Sequence, residues 1–306
     1  MHRIVAVTPA GRKLYLEILK AYILKDDSIS EWVLWDNCRK AEDRAYIHEL
    51  AAKHDKVRVL TIEGVDGTNK SVNSFYKYCD APDSFYIKID DDVVWMEAGL
   101  GRSLYEAALP DRSRYLWWSP LVVNNALCSW LLKYHSRVTI DNELSAQASC
   151  PYGWRSPTFA ARLHQVFLDY LGNDNLAAFR VGAHDVSLSR YSINVIGFFG
   201  EDVAKLGARF CPSGVDDEEW LSAVLPTLVG RCGRIVGDVV AAHFAFYTQE
   251  RHLLEQNGLI DAYYQAAGIE RTAPLPPSPP LGFRQKLKAF VRGKSARRAS
   301  PDIAIR

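Results

Sequence analysis

A chain of 306 residues, 48% of them hydrophobic, can bury a sizeable core as one large domain or two small ones. Its 37 basic and 36 acidic side chains nearly cancel, so the overall charge gives no basis for a nucleic-acid partner. The cysteines, Cys38, Cys79, Cys128, Cys150, Cys211 and Cys232, form no Cys-x-x-Cys pair, which removes zinc clusters and dithiol redox motifs and leaves reduced cytosolic thiols as the expectation.

In chain order, the apolar run at residues 4–8 predicts a buried strand that starts almost at once, with no apolar leader before it. No stretch is long and apolar enough to span a bilayer, so a cytoplasmic location is expected. Residues 14–23 have helical apolar spacing, 32–35 read as a second strand and 39–54 as a charged helix. A third strand at 57–62, a Gly-containing loop at 64–67, a helix at 70–79 and a fourth apolar strand at 84–89 follow. This alternation predicts a parallel sheet wrapped by helices. Ligands of such sheets bind at the carboxyl ends of the strands, which selects residues 8–12, Asp36-Asn37, 63–69 and 90–92. Beyond residue 115 the pattern becomes mixed, with strands expected at 115–123, 179–181 and 193–199 and helices at 159–171 and 218–229. From Thr272 the prolines Pro274, Pro276, Pro277, Pro279 and Pro280 predict a stiff extended linker. The expected division is a folded domain at 1–270, a linker at 271–282 and a basic tail at 283–306.

The segment Tyr86-Ile-Lys-Ile-Asp-Asp-Asp-Val-Val-Trp95 puts three carboxylates, Asp90, Asp91 and Asp92, directly after an apolar strand. Adjacent like charges at a half-buried strand end need compensation, and a divalent cation supplies it through carboxylate oxygens while leaving positions open for phosphate. A solvated acidic turn is the plain alternative, and the strand on one side with the apolar continuation on the other argues against it. Late in the chain, Gly237-Asp-Val-Val-Ala-Ala-His-Phe-Ala-Phe246 presents a lone His243 on a strand-like run, either a core histidine or, since imidazole suits Mn²⁺, a second ligand.

With these residues in hand, the chain resembles glycosyltransferases of the GT-A fold, in particular the family-2-like enzymes of bacterial surface polysaccharide assembly. The likeness spans about residues 3–265 and rests on Thr8-Pro9 after the first strand, Asp36-Asn37 after the second, the helix start between Asn69 and Asn73, the DXD-type triplet, the acidic Asp216-Asp217-Glu218-Glu219 segment and His243. The resemblance implies a single large domain with a Rossmann-like mixed sheet flanked by helices. It further implies metal-dependent transfer of a sugar from a nucleotide donor, a UDP-sugar first, to a hydroxyl of a growing or lipid-linked glycan. By it Thr8, Pro9 and Asp36 line the nucleobase pocket, Asn69, Asn73, Asp90 and Asp91 complete the donor site, and Asp92 and His243 hold Mn²⁺ or Mg²⁺. The family's base is the second acidic residue of a Glu-Asp-x-x-Leu-like motif; both Asp217 and Glu218 fit, and a helix start also explains Asp217 as a plain cap. The absence of the His-x-x-Gly-x-x-Lys-Pro-Trp pattern of one retaining group favours inversion.

Other residues carry less. Trp117-Trp118 and Asn124-Asn125 follow the triplet where such folds shape a sugar pocket, His184-Asp185 lacks a nucleophile motif, and Glu201 and Asp202 read as helix caps. Two other functions compete: a sugar-phosphate nucleotidyltransferase, which Ala10-Gly-Arg-Lys13 matches only in part, and a non-catalytic nucleotide- or carbohydrate-binding module, which has no need of clustered carboxylates. The tail carries eight Lys or Arg against Asp302 alone, and Phe283, Leu287, Phe290 and Val291 share one helical face. This predicts either an amphipathic basic helix at an anionic membrane surface, each nearby cation contributing about 1 kcal/mol, or a solvated, disordered basic end, which the short length and Gly293 also suit.

Overall fold

Apolar runs with β-branched and aromatic side chains build a four-stranded parallel half: β1 (Arg3–Ala10), β2 (Ile29–Asp36), β3 (Val57–Leu60) and β4 (Ser84–Ile89). They lie in the order β3-β2-β1-β4, joined by α1 (Lys13–Lys25), α2 (Ala41–Lys53) and a one-turn α3 (Asn73–Tyr76). The computed structural model describes residues 2–187, 189–256 and 258–275, so the expected amphipathic tail at 283–306 and most of the linker lie outside the described residues. Every residue of β4 is buried, as a strand covered on both faces requires.

The helix expected at 70–79 is shorter. Asn69–Ser71 forms a 3₁₀ turn and only α3 is α-helical, because polar side chains there bond elsewhere. Ser71 donates its hydroxyl to Asn37 Oδ1 (2.8 Å), and Asn73 donates its amide to the carbonyls of Pro212 (2.8 Å) and Val215 (2.9 Å).

The second half adds β5 (Val93–Met96), α4 (Leu100–Ala108), β6 (Tyr115–Val123), α5 (Ala126–Tyr134) and α6 (Pro157–Gly172). Then come β7 (Gly182–Val186), β8 (Val195–Phe199), α7 (Gly200–Leu206), α8 (Asp217–Glu219), α9 (Leu225–Val229) and β9 (Cys232–His243), and finally α10 (Glu250–Glu255) and α11 (Leu259–Ala266). One mixed sheet results, in the order β3-β2-β1-β4-β8-β6-β9-β5. β8 is antiparallel to both β4 and β6, β9 is parallel to β6, and β5 and β7 pair antiparallel along the other edge of β9. At the centre Gly197 of β8 faces Ile87 and Trp118 across its two partners. A Cβ there would lie 2.4 Å from the Phe85 ring, so only glycine fits.

Two further expected elements differ. The strand at 179–181 is displaced: Leu176–Phe179 is a 3₁₀ turn and pairing with β9 starts at the Val181 N–H, which donates to Gly237 O (3.0 Å) before β7 proper. The helix at 218–229 is broken into α8, a π turn at Trp220–Val224 and α9. Pro226 has no N–H to offer Ser222 O, and the Ser222 hydroxyl bonds back to Glu218 O (2.5 Å), both of which disturb a regular ladder. Packing continues slightly past the expected end of the domain. The backbone N–H groups of Thr272 and Ala273 donate to the buried Glu17 carboxylate of α1 (3.3 and 3.2 Å), which also accepts from the Thr272 and Tyr264 hydroxyls.

Candidate active site

The triplet lies where the chain leaves the C-terminal end of β4 and crosses to β5 at the far end of the sheet order. The β5–β9 register pairs Val93 with His243, and the Phe244 N–H donates to Asp92 O (2.8 Å). Sheet pairing thus brings residues 151 positions apart into contact: His243 Nε2 lies 3.3 Å from Asp92 Oδ2, both side chains buried. His243 Nδ1 faces the carbonyl of Asn124 at 3.5 Å. The Asn124 carbonyl and the Asp92 carboxylate both only accept, so the two contacts favour a proton on each ring nitrogen, and an ion in place of the Nε2 proton would leave Nδ1–H on the carbonyl.

Asn124 and Asn125, at the turn from β6 into α5, hold the site's frame. Asn124 has a left-handed backbone (φ 61°), which asparagine tolerates better than most residues. Its amide donates to Phe244 O (2.9 Å) and Gln249 Oε1 (3.0 Å). Asn125 caps α5 by accepting from the N–H groups of Leu127 and Cys128, and its amide donates to Ser192 O (2.9 Å) and Asn194 Oδ1 (3.1 Å). Asn194 in turn accepts from the Asp90 N–H at its carbonyl (2.9 Å) and places its amide 3.5 Å from Asp90 Oδ2.

Two cations compensate the triplet. Arg12, just after β1, bonds Asp91 through Nε (3.2 Å to each oxygen) and a terminal nitrogen, and that nitrogen also lies 2.9 Å from Asp92 Oδ2. The other terminal nitrogen reaches Glu250 of α10 (3.1 Å), which accepts from the Tyr15 hydroxyl (2.8 Å), and the Arg12 guanidinium lies over the Tyr15 ring. The Gly11 N–H donates to Asp91 as well (3.1 Å). Burial pushes the Asp91 carboxyl up despite Arg12, whereas at Asp92 burial is outweighed by Arg12 and His243, which hold it well below the usual carboxylate range. Burial alone would lower His243, but Asp92 raises it. The second cation is Lys88, buried in β4, whose ammonium pairs with Asp90 and donates to Ile193 O (2.9 Å). Neither cation was singled out for this part from sequence. Lys88 had a legible signal, as the lone charge in the strand Ser84–Ile89; Arg12 had none beyond its position at a strand end.

The acidic segment faces the same region. Asp216 caps α8, accepting from the Glu219 N–H (3.0 Å). Asp217 accepts from the buried Tyr76 hydroxyl (3.2 Å), and burial raises its carboxyl, with Lys88 opposing and Asp90 reinforcing. Glu218 is gripped by Arg190 Nε at 2.6 Å, and Arg190 also reaches Asp216 (3.0 Å).

The expected donor-side residues are spread along the β1–β2 end. Thr8 is fully buried, its hydroxyl accepting from the Trp32 indole (3.0 Å), so the side chain is core. Pro9 is half-buried opposite Trp35. The buried Asp36 carboxylate is occupied by Arg44 (2.9 Å) and the Cys38 N–H (3.2 Å). Asn69 is exposed, and Asn73 is buried and turned to the loop before α8. Trp117 and Trp118 are core, and Asp185 is tied to Arg114 and Tyr115.

Among the described residues no set of three or more His, Cys, Asp or Glu side chains is arranged as a metal cage. The Asp92–His243 pair nevertheless fits a divalent ion in chemistry and spacing. One hard oxygen and one imidazole lone pair 3.3 Å apart match the ~3 Å edge of an octahedron with bonds of about 2.1 Å, with the other positions left to water or phosphate.

No protein-family model matches the chain, and no curated protein matches it. Among solved structures, the chain is similar to a mannosyltransferase of Pyrobaculum calidifontis in complex with GDP-Man and Mn²⁺ (13% identity, TM-score 0.47, covering 98% of this chain and 76% of that one). It is also similar to a 4-diphosphocytidyl-2C-methyl-D-erythritol synthase of Anaerococcus prevotii (14%, TM-score 0.41, 87% and 96%). A third is the glucosyl-3-phosphoglycerate synthase of Mycobacterium tuberculosis in complex with Mn²⁺, UDP and phosphoglyceric acid (12%, TM-score 0.42, 89% and 80%). Glycosyltransferases and nucleotidyltransferases thus both occur among the similar structures.

Proposed function

We propose that this chain transfers a sugar from a nucleotide-sugar donor to a hydroxyl acceptor, a growing or lipid-linked glycan, with inversion at the anomeric carbon. The observation that carries the reading is the convergence of Asp92 and His243, 3.3 Å apart, with Asp217 close enough to feel Lys88 and Asp90, at the strand end where α/β sheets bind ligands.

A divalent ion on Asp92 and His243 would offset the charge of a departing nucleoside diphosphate. The chain's own residues do the rest. Arg12 and Lys88 keep three adjacent carboxylates at one strand end without mutual expulsion. Asp217 takes the proton of the acceptor hydroxyl as its oxygen forms the bond to the anomeric carbon, and the bond from that carbon to the diphosphate oxygen breaks with its electron pair. Glu218, neutralised by Arg190, is the poorer base of the two. Its role is to fix α8. Asp90, the most exposed of the three, faces the donor, and Asp91, held by Arg12 and the Gly11 N–H, ties the loop after β1 to the site.

The test is a product assay with UDP-, GDP- and dTDP-sugars and Mn²⁺, with simple glycosides and with lipid-linked acceptors. Free nucleoside diphosphate in step with glycoside formation is expected. Arg12-Lys13 after β1 favours a second reading, nucleotidyl transfer, in which a nucleoside triphosphate and a sugar phosphate give pyrophosphate. That outcome would replace the proposal, and the engagement of Arg12 by Asp91, Asp92 and Glu250 argues against it.

A further inference from the structure

One short turn of helix reaches the acidic segment twice. Asn73 and Tyr76 stand three residues apart on α3, the spacing that puts two side chains on one face. The Asn73 amide holds the carbonyls of Pro212 (2.8 Å) and Val215 (2.9 Å), and the Tyr76 hydroxyl donates to Oδ2 of Asp217 (3.2 Å), two residues further along that loop. Asn73 thus fixes the loop backbone and Tyr76 the side chain that follows it. Tyr76 is fully buried, its ring edge-on to Trp35 and tilted against Phe198 and Phe210, so close packing holds the ring in place. Asp217 itself is only half-buried. One of its oxygens is therefore anchored on a core side chain while the carboxyl keeps an open side.

We propose that Tyr76 is the positioning residue for Asp217: its hydroxyl fixes Oδ2 and leaves Oδ1 to take the proton of the acceptor hydroxyl. This rests on the transferase reading above, in which Asp217 is the base. A neutral phenol orients a carboxylate without cancelling its charge, unlike the Arg190 guanidinium on Glu218. Besides Tyr76, the charged and titratable groups around Asp217 are Lys88 of β4, Asp90 after it, the neighbouring Asp216 and the Cys211 thiol before α8. Burial raises the Asp217 carboxyl, and Lys88 and the Tyr76 hydrogen bond oppose the rise. Loss of the hydroxyl therefore moves the titration of Asp217 to higher pH.

The experiment uses the full chain with isotopically labelled aspartate carboxyl carbons, titrated by NMR, the Asp217 signal being assigned by its loss in Asp217→Asn. In Tyr76→Phe, which keeps the ring, the Asp217 midpoint is expected to move to higher pH. In the glycoside assay described above, Tyr76→Phe is expected to lower kcat about tenfold with donor KM unchanged, and the acid limb of kcat to follow the midpoint. In an Asp217→Asn background the same change should cost nothing further, since Tyr76 acts through Asp217. An unmoved midpoint, or an equal loss of kcat with and without Asp217→Asn, overturns the proposal. Glycoside formation by the parent with an unmoved midpoint discards the role of Tyr76 and leaves the transferase reading standing. A midpoint that moves, in a protein whose parent forms no glycoside, keeps the hold of Tyr76 on Asp217 and discards that reading.

Discussion

Arg12 shows what a single side chain contributes here. Asp91 and Asp92 are buried and adjacent, and Arg12 touches both while its own side chain is 40% exposed. Removing one partner of such a pair leaves uncompensated buried charge. Arg12→Ala is expected to cost about 2 kcal/mol, below the usual range for a buried pair because of the exposure. Mn²⁺ should restore part of the lost melting temperature, since an ion at Asp92 takes over the compensation; a variant as stable as the parent, or one indifferent to Mn²⁺, contradicts this account. Asp217 and Glu218 allow a contrast. Asp217→Asn is expected to lower kcat by roughly 10²–10⁴-fold with donor affinity kept, and Glu218→Gln by far less, through a loosened Arg190 contact. Equal losses, or a larger one at Glu218, reverse the assignment of the base. The triplet and His243 were legible in the sequence because their residue types and strand settings are unusual. Arg12 and Glu250 were not, because the approach of a loop after β1 to a late helix is decided by tertiary packing alone, and Lys88 was marked only as the lone charge of its strand, without its partner.

Among the elements, the parallel half followed its sequence pattern because β2 and β3 each pair with the strand before them, brought back by α1 and α2, and the chain then crosses to place β4 on the free edge of β1. The antiparallel half was harder to read. β5 is four residues long, directly follows the triplet, and acquires its identity only from β9, some 150 residues later. β8 likewise separates β4 from β6 by insertion from a distant stretch of chain. Its Gly197 tests that central placement. A methyl group there meets the Phe85 ring at 2.4 Å, and Phe85 is itself packed edge-on to Phe199 and close to Trp118, so the ring has little room to yield. Gly197→Ala is expected to destabilise by about 1–3 kcal/mol, the usual cost of overpacking, measured as a lower urea midpoint with unchanged slope. A midpoint equal to that of the parent would mean that β8 is not held between β4 and β6 as described.

On the scale of the whole molecule, His164 links three distant parts behind the site. It lies fully buried on α6, with Nε2 2.8 Å from Phe244 O just after β9 and Nδ1 2.6 Å from the Tyr263 hydroxyl of α11. The carbonyl can only accept, so Nε2 carries the proton and Nδ1 accepts from Tyr263, and the ring is satisfied while neutral. Burial lowers its pKa from 6.5 to about 4. An unfolded chain takes up this proton near pH 6.5 and the folded one only near pH 4, so acid favours unfolding across that window. The neutral ring's contribution is complete above pH 6.5 and falls by about 3 kcal/mol as the pH drops to 4. His243 has the opposite sign, since Asp92 raises it against burial, and it therefore gains stability as pH falls below its folded value. Only a difference measurement isolates His164. His164→Leu is expected to be less stable at pH 7, having left Phe244 O without this donor, yet to lose less stability than the parent between pH 6.5 and 4. Urea midpoints of the two proteins across that range give the comparison, and parallel curves would show that the buried ring is not the group that titrates. Because Phe244 adjoins His243, the same variant is expected to bind Mn²⁺ more weakly than the parent at equal pH, measured by calorimetry, and equal affinities would show that His164 does not position this part of the site.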